Sequence, residues 1–220
     1  MKDKFAPKGK LIIVEGVDGS GKSTQIRLLE KWLRYVGIPV FFTEWNSSEQ
    51  VKEIISKGKK RNLLTPTTFS LLHATDFAAR YERNIFPLLR AGYIVLADRY
   101  IYTLMARDAV RDMNRRWSYQ LFGFAIVPDL VFYLDVDPEE LVHRVFQKNT
   151  FLDYYESGAD LGLSDDMYES FMIYQRMIAK EFRRMQKRYN LLIIDGNRQI
   201  SEVNADLQKW IDHFLGSIQH

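Results

Sequence analysis

Apolar residues gather along this chain in five short runs, at residues 11–14, 40–42, 94–97, 130–134 and 191–194. Each run is too short for a helix and unbroken by polar residues, the pattern of a strand buried on both faces. Between the runs the apolar positions fall at helical spacing. Ile26, Leu29, Leu33 and Val36 form one stripe, closed by Gly37 as a C-cap, and Val203, Leu207, Trp210, Ile211 and Phe214 form another. Thr65-Pro66 places an N-cap before a proline at the first helical position. The helix that starts there is expected to run towards Gly92, kinked or restarted at Pro87. Strands alternating with helices predict a parallel sheet covered by helices on both faces. No repeat, linker or low-complexity tract divides the 220 residues, so 1–220 reads as one α/β domain.

Composition sharpens this picture by exclusion. The 31 basic and 28 acidic side chains leave a net charge of +3, too mild for nucleic acid or an anionic membrane surface without local clustering. No apolar run approaches the roughly 20 residues of a membrane helix, and the first residues lack the apolar stretch of a signal peptide. There is no cysteine, so disulfide and thiol chemistry are excluded. The expected location is cytoplasmic. The four histidines are dispersed without ligand spacing, which argues against a structural zinc site.

The strongest chemical signal follows the first strand. Gly16-Val17-Asp18-Gly19-Ser20-Gly21-Lys22-Ser23, with Thr24 after it, has the G-x-x-x-x-G-K-[ST] spacing between a strand and a helix. Such glycines let backbone N–H groups curl around a phosphate, and the helix N-terminus adds its positive end. Lys22 is expected to reach the β and γ phosphates of ATP, and Ser23 to ligate Mg2+. Asp98, closing the third run, is the candidate second ligand of the metal. Arg99 stands after it, where many ATPases have a glutamate that activates water; a cation there favours transfer to a bound phosphate. No Asn-Lys-x-Asp guanine motif occurs, which argues against a GTPase.

Together the residues 15–24, Asp98-Arg99-Tyr100, the 128–139 stretch with Arg144, Asp153-Tyr154-Tyr155-Glu156 and Ile194-Asp195-Gly196 resemble the thymidylate kinases in order and spacing. The resemblance implies the P-loop nucleoside monophosphate kinase fold: a five-stranded parallel sheet of order 2-3-1-4-5 with a small lid, about 145–165. It implies ATP over the phosphate loop, with Arg144 and Gly196 bordering it, and a monophosphate acceptor, dTMP first. Asp18 then falls near the acceptor sugar and the metal, and Arg99 bridges the two phosphates. A homodimer is the family's usual assembly. A deoxynucleoside kinase, or a regulatory nucleotide-binding module with weak transfer, are the alternatives.

The acceptor half departs from the family. On the helix after Thr65, His73 and Phe77 occupy the places of the family's base-stacking phenylalanine and its arginine. Asp76 and Arg80 lie near the same face, so His73, Asp76, Phe77 and Arg80 are the candidate acceptor readers, with Tyr100 and Arg107. The alternative is a core phenylalanine and a surface Asp76–Arg80 pair. After the second strand the family's Thr-Arg-Glu-Pro becomes Thr43-Glu44-Trp45-Asn46, without its phosphate-binding arginine, and Arg107, Arg111, Arg115 and Arg116 are candidate replacements or a solvated basic face. The lid itself has no basic residue between Lys148 and Arg176.

Overall fold

The computed structural model describes residues 7–45, 48–49, 51–147, 152 and 154–217. Five strands, β1 (Lys10–Gly16), β2 (Val40–Glu44), β3 (Ile94–Asp98), β4 (Leu130–Asp135) and β5 (Leu192–Asp195), form one parallel sheet of order β2-β3-β1-β4-β5. The expected order is therefore the observed one. Alternate side chains of each strand enter different cores. Ile12, Val14, Ile94, Leu96, Phe132 and Leu134 pack against the helices α1 (Lys22–Tyr35) and α9 (Ile200–Gly216). Leu11, Ile13, Val95, Ala97, Val131 and Tyr133 belong to the core beneath the helices of the other face. With both faces covered, the strands carry unbroken apolar runs rather than alternation.

That second face carries α3 (Pro66–Arg80), α4 (Phe86–Arg90), α5 (Ile101–Val110), α6 (Arg115–Leu121) and α8 (Met167–Tyr189). Shorter α2 (Lys52–Lys60) lies against α3, and α7 (Pro138–Gln147) follows β4. Thr65 caps α3 as expected, its Oγ1 accepting from the Thr68 amide. The predicted break precedes Pro87: residues Tyr81–Ile85 form one wide π turn before α4 begins. Proline has no N–H to offer the carbonyl four residues back and its ring crowds that turn, so the wider spacing absorbs the misfit.

Three stripe positions fall outside the core, among them the part-buried Phe214. Val36 lies past the end of α1, half exposed, and Trp210 sits on the outer side of α9. Within the expected lid, Tyr154 to Ser164 turns through a short 3-10 segment, Ala159–Leu161, before α8, while Lys148 and Asp153 lie outside the described residues.

Candidate active site

The phosphate loop joins β1 to α1. Gly19 and Gly21 have φ of +85° and +92°, where any Cβ is strained, so the turn needs glycine at both places. The loop thereby delivers consecutive amides to the N-terminus of α1, an anion site. Lys22 is buried and donates from Nζ to the Val17 carbonyl at 2.7 Å. Burial, and then the charge of Arg99, press its ammonium down to a pKa of about 8.

Parallel pairing sets Asp98 beside Val14, which carries the end of β3 to the loop. There Ser23 Oγ donates to Asp98 Oδ2 at 3.1 Å. A hydroxyl and one carboxylate form an all-oxygen set that suits Mg2+, which keeps several waters and takes few protein ligands. These two residues would hold the ion together with phosphate oxygens; among the described residues no three His, Asp or Glu side chains group as a metal cage.

Beside the loop opens a cavity of about 1020 Å3, walled by Thr24, Gln25, Arg144, Gly196 and Asn197 among others. Arg144 ties the walls together, donating to the Gly196 carbonyl at 2.9 Å, to Glu140 at 2.8 Å and to the Gly19 carbonyl at 3.5 Å. A Cβ on Gly196 would lie 2.5 Å from the Val136 side chain, so the loop after β5 closes against β4 only with glycine there. The volume and mixed lining suit a nucleoside.

On the other side of the loop, charges converge. Arg99, just past β3, pairs with Asp18, and Arg107 of α5 reaches the second Asp18 oxygen at 3.3 Å. Glu156 stands 3.8 Å from Arg107 and 3.4 Å from the Lys59 ammonium. Burial works to raise the Asp18 carboxyl, but Arg99, Lys22 and Arg107 outweigh it and hold it well below the usual carboxylate range. Burial and the Asp18 charge push Glu156 up. Trp45, at the end of β2, lies beneath both arginines, with guanidinium carbons 5.4 and 5.5 Å from its ring.

His73 joins this cluster. Its ring stacks on Trp45 at 5.1 Å and leans on Phe69 at 4.3 Å. Burial first, then the charges of Arg107, Lys59, Arg99 and Arg111, hold it neutral, well below the usual histidine pKa. Among the described residues neither ring nitrogen of His73 has a hydrogen-bond partner, nor has Trp45 Nε1. Buried polar atoms are nearly always paired, so this wall is one that a polar ligand would complete.

The other acceptor candidates lie elsewhere. Phe77 is fully buried, ringed by Tyr81, Tyr100, Phe122 and Phe124. Tyr100 is also core, donating its hydroxyl to the Ile126 carbonyl. Asp76 and Arg80 are buried rather than a surface pair. Asp76 accepts from the Ser48 amide, and Arg80 donates to the Arg99 carbonyl at 3.0 Å. Of the basic residues after Asp98, Arg107 and Arg111 both lie over the Phe69 ring. Arg111 is buried, bonded to Asp160, Tyr174 and the Tyr155 carbonyl, while Arg115 pairs with Glu181 on the surface. Only Arg107 of the four reaches Asp18.

Lys59 and Glu15 of the site were not foreseen as such, and Trp45 stood out only as part of the stretch after the second strand that lacks the family's arginine. Glu15 had a signal, a carboxylate ending an apolar strand run; it is fully buried and accepts from the Tyr100 and Thr103 amides. Lys59 had none, because only the fold brings α2 over α3.

A phosphate loop at the carboxyl end of the central strand, a Ser–Asp pair beside it and an arginine opposite define a P-loop phosphotransferase. The sequence model of the thymidylate kinases matches residues 14–207. The chain is 42% identical to "Probable thymidylate kinase 2" of Saccharolobus solfataricus over 94% of its own length and 98% of the relative's. It is 27% identical to the probable thymidylate kinase of Thermococcus onnurineus over 93% of its own length and 98% of the relative's. With the thymidylate kinase of Brachyspira hyodysenteriae it shares 31% identity over 74% of its length and 81% of that protein's. The chain belongs to the thymidylate kinase family.

Proposed function

We propose that this enzyme transfers the γ-phosphoryl group of ATP to dTMP with Mg2+ as cofactor. The observation that carries the reading is the convergence of Arg99 and Arg107 on Asp18 at the mouth of the phosphate loop, beside the Ser23–Asp98 pair. Phosphoryl transfer asks for little covalent help from the protein; it asks that two phosphates be aligned and their charge offset. ATP would lie with its nucleoside in the cavity at Arg144 and Gly196 and its phosphates on residues 16–24, Lys22 reaching the terminal ones. Mg2+, held by Ser23 and Asp98, would neutralise charge on the phosphate oxygens. Arg99 is placed to bridge donor and acceptor phosphates, and Arg107 to replace the arginine that the β2 end lacks. A guanidinium in a site shielded from water stabilises such charge strongly.

The acceptor base would lie against His73 and Trp45. A neutral imidazole offers one donor and one acceptor, where the relatives' stacking ring offers none. His73→Phe keeps the stacking surface and removes both, so it should alter the preference among deoxynucleoside monophosphates. An assay of ADP release across nucleosides and monophosphates tests the reaction. A nucleoside used faster than its monophosphate would replace this reading by a nucleoside kinase. The names of the relatives support dTMP. A cytoplasmic homodimer completes the proposal, supported by the resemblance; among the described residues no helix is long and apolar enough to cross a membrane. Light scattering checks the dimer.

A further inference from the structure

Arg99 does its work from an uncommon backbone position. Its φ is +63°, the left-handed region that non-glycine residues avoid. The neighbouring strand end fixes only one of its groups, the Arg99 amide donating to the Val14 carbonyl at 3.1 Å. The other peptide groups of this corner are held from two sides by buried charges. Arg80 of α3 donates Nη2 to the Arg99 carbonyl at 3.0 Å, and its Nη1 stands 3.5 Å from the Asp98 carbonyl. Glu15 accepts from the Tyr100 amide at 2.9 Å and from the Thr103 amide at 3.3 Å, which caps the start of α5. Because of this corner, adjacent side chains diverge: Asp98 turns to Ser23 and Arg99 to Asp18.

Arg80 is 2% exposed, and its guanidinium also lies over the Phe77 ring at 5.7 Å. Its Nη atoms meet backbone carbonyls. A long cation is costly to bury, and here it is aimed at the one strained residue of the transfer machinery. Strain of this kind persists only where its surroundings over-determine it.

The geometry points to Arg80 as the positioning residue of the transfer step: with Glu15 opposite, it clamps Arg99 in the left-handed conformation that sends the phosphate-bridging guanidinium and the metal-ligating carboxylate to opposite sides of one corner. It acts through Arg99 and does not read the acceptor. The inference rests on the transfer reaction proposed above.

The experiment compares wild type, Arg80→Met, Arg99→Ala and the double variant for kcat and for ATP and dTMP binding. A misplacement of about 1 Å costs roughly a hundredfold in rate, so Arg80→Met should lose between about ten- and a hundredfold in kcat. Binding of ATP, which the loop governs, should change less than about twofold. In the Arg99→Ala background the same substitution should cost less than about twofold more, because residues acting through one group are not additive. Losses that multiply overturn the clamp, and so does an altered acceptor preference in Arg80→Met. Arg80→Lys keeps a charge beside Asp76 if the methionine variant does not fold, and should recover part of kcat by reaching a single carbonyl. A crystal structure of Arg80→Met gives a reading without turnover: residue 99 should leave the left-handed region. If it stays at positive φ with Asp98 and Arg99 unmoved, Arg80 is not the clamp. Wild type inactive on every acceptor would instead overturn the proposed reaction, with the crystallographic result still standing on its own.

Discussion

At the scale of single residues, the site is a problem of charge density. Lys22 shares its surroundings with Arg99, and its free-state pKa of about 8 follows from burial and that neighbour. Bound phosphates favour the ammonium and raise that value. Between the two pKa values, binding must therefore take up a proton, and affinity must fall as pH rises above 8. Calorimetry of ATP binding at pH 8.5 in buffers of different ionisation heat should show net proton uptake; no uptake would mean that the free ammonium is not depressed by its burial beside Arg99. Replacing Lys22 by alanine should lower kcat by a hundred- to thousandfold, roughly the worth of one preorganised donor. A variant keeping over a tenth of the rate, by about the same scale, would contradict that role. Asp98 and Arg99 are adjacent but should fail differently. Asp98→Asn, paired to Ser23, should regain rate as Mg2+ is raised, whereas Arg99→Ala should not, which a Mg2+ titration of kcat decides.

At the scale of elements, α3 serves two ends at once. Its face towards Trp45 carries His73 into the candidate acceptor wall, and a turn further on Phe77 fills the core beneath α5 and α6. Phe77→Ala should thus act on stability, by about 3–5 kcal/mol, and leave the ratio of kcat/KM between acceptors within about threefold, under 1 kcal/mol. Chemical denaturation and substrate competition measure the two quantities separately, and a large specificity change with little loss of stability would return Phe77 to the pocket. The helix pattern could not reveal this division. Both residues are apolar or aromatic-like positions one turn apart, and which of them faces the candidate acceptor wall depends on α5 and the β2 end, far off in sequence.

At the scale of the whole molecule, the segment before α8 is tied to the catalytic side by Arg111. Its guanidinium, 2% exposed, bonds Asp160 at 2.7 and 3.0 Å, the Tyr155 carbonyl at 3.0 Å and the Tyr174 hydroxyl at 2.9 Å. Because Arg111 follows α5 and Glu156 follows Tyr155, this tie sets where Glu156 meets Arg107 and Lys59. Removing one partner of a buried pair leaves the other charge uncompensated, at about 3–5 kcal/mol. Asp160→Asn should therefore lower the urea midpoint without changing its slope, and a shift worth less than about 1 kcal/mol, as for surface pairs, would show that the tie is not structural.

Much of this protein was determined locally and could be read without the fold. The strand runs, the phosphate loop and Asp98-Arg99 each depend on a few consecutive residues, because a strand buried on both faces must be apolar throughout and a loop around phosphate must have glycine where φ is positive. Sheet order followed from the family resemblance and was met in the structure. What only the tertiary structure decided is which way the charged side chains of the acceptor half point. Arg80 and Arg107 look alike in sequence, yet one is buried against backbone carbonyls and the other reaches Asp18. The physical reason is that a buried charge takes its role from its partners, and here those partners lie 19 and 89 residues away.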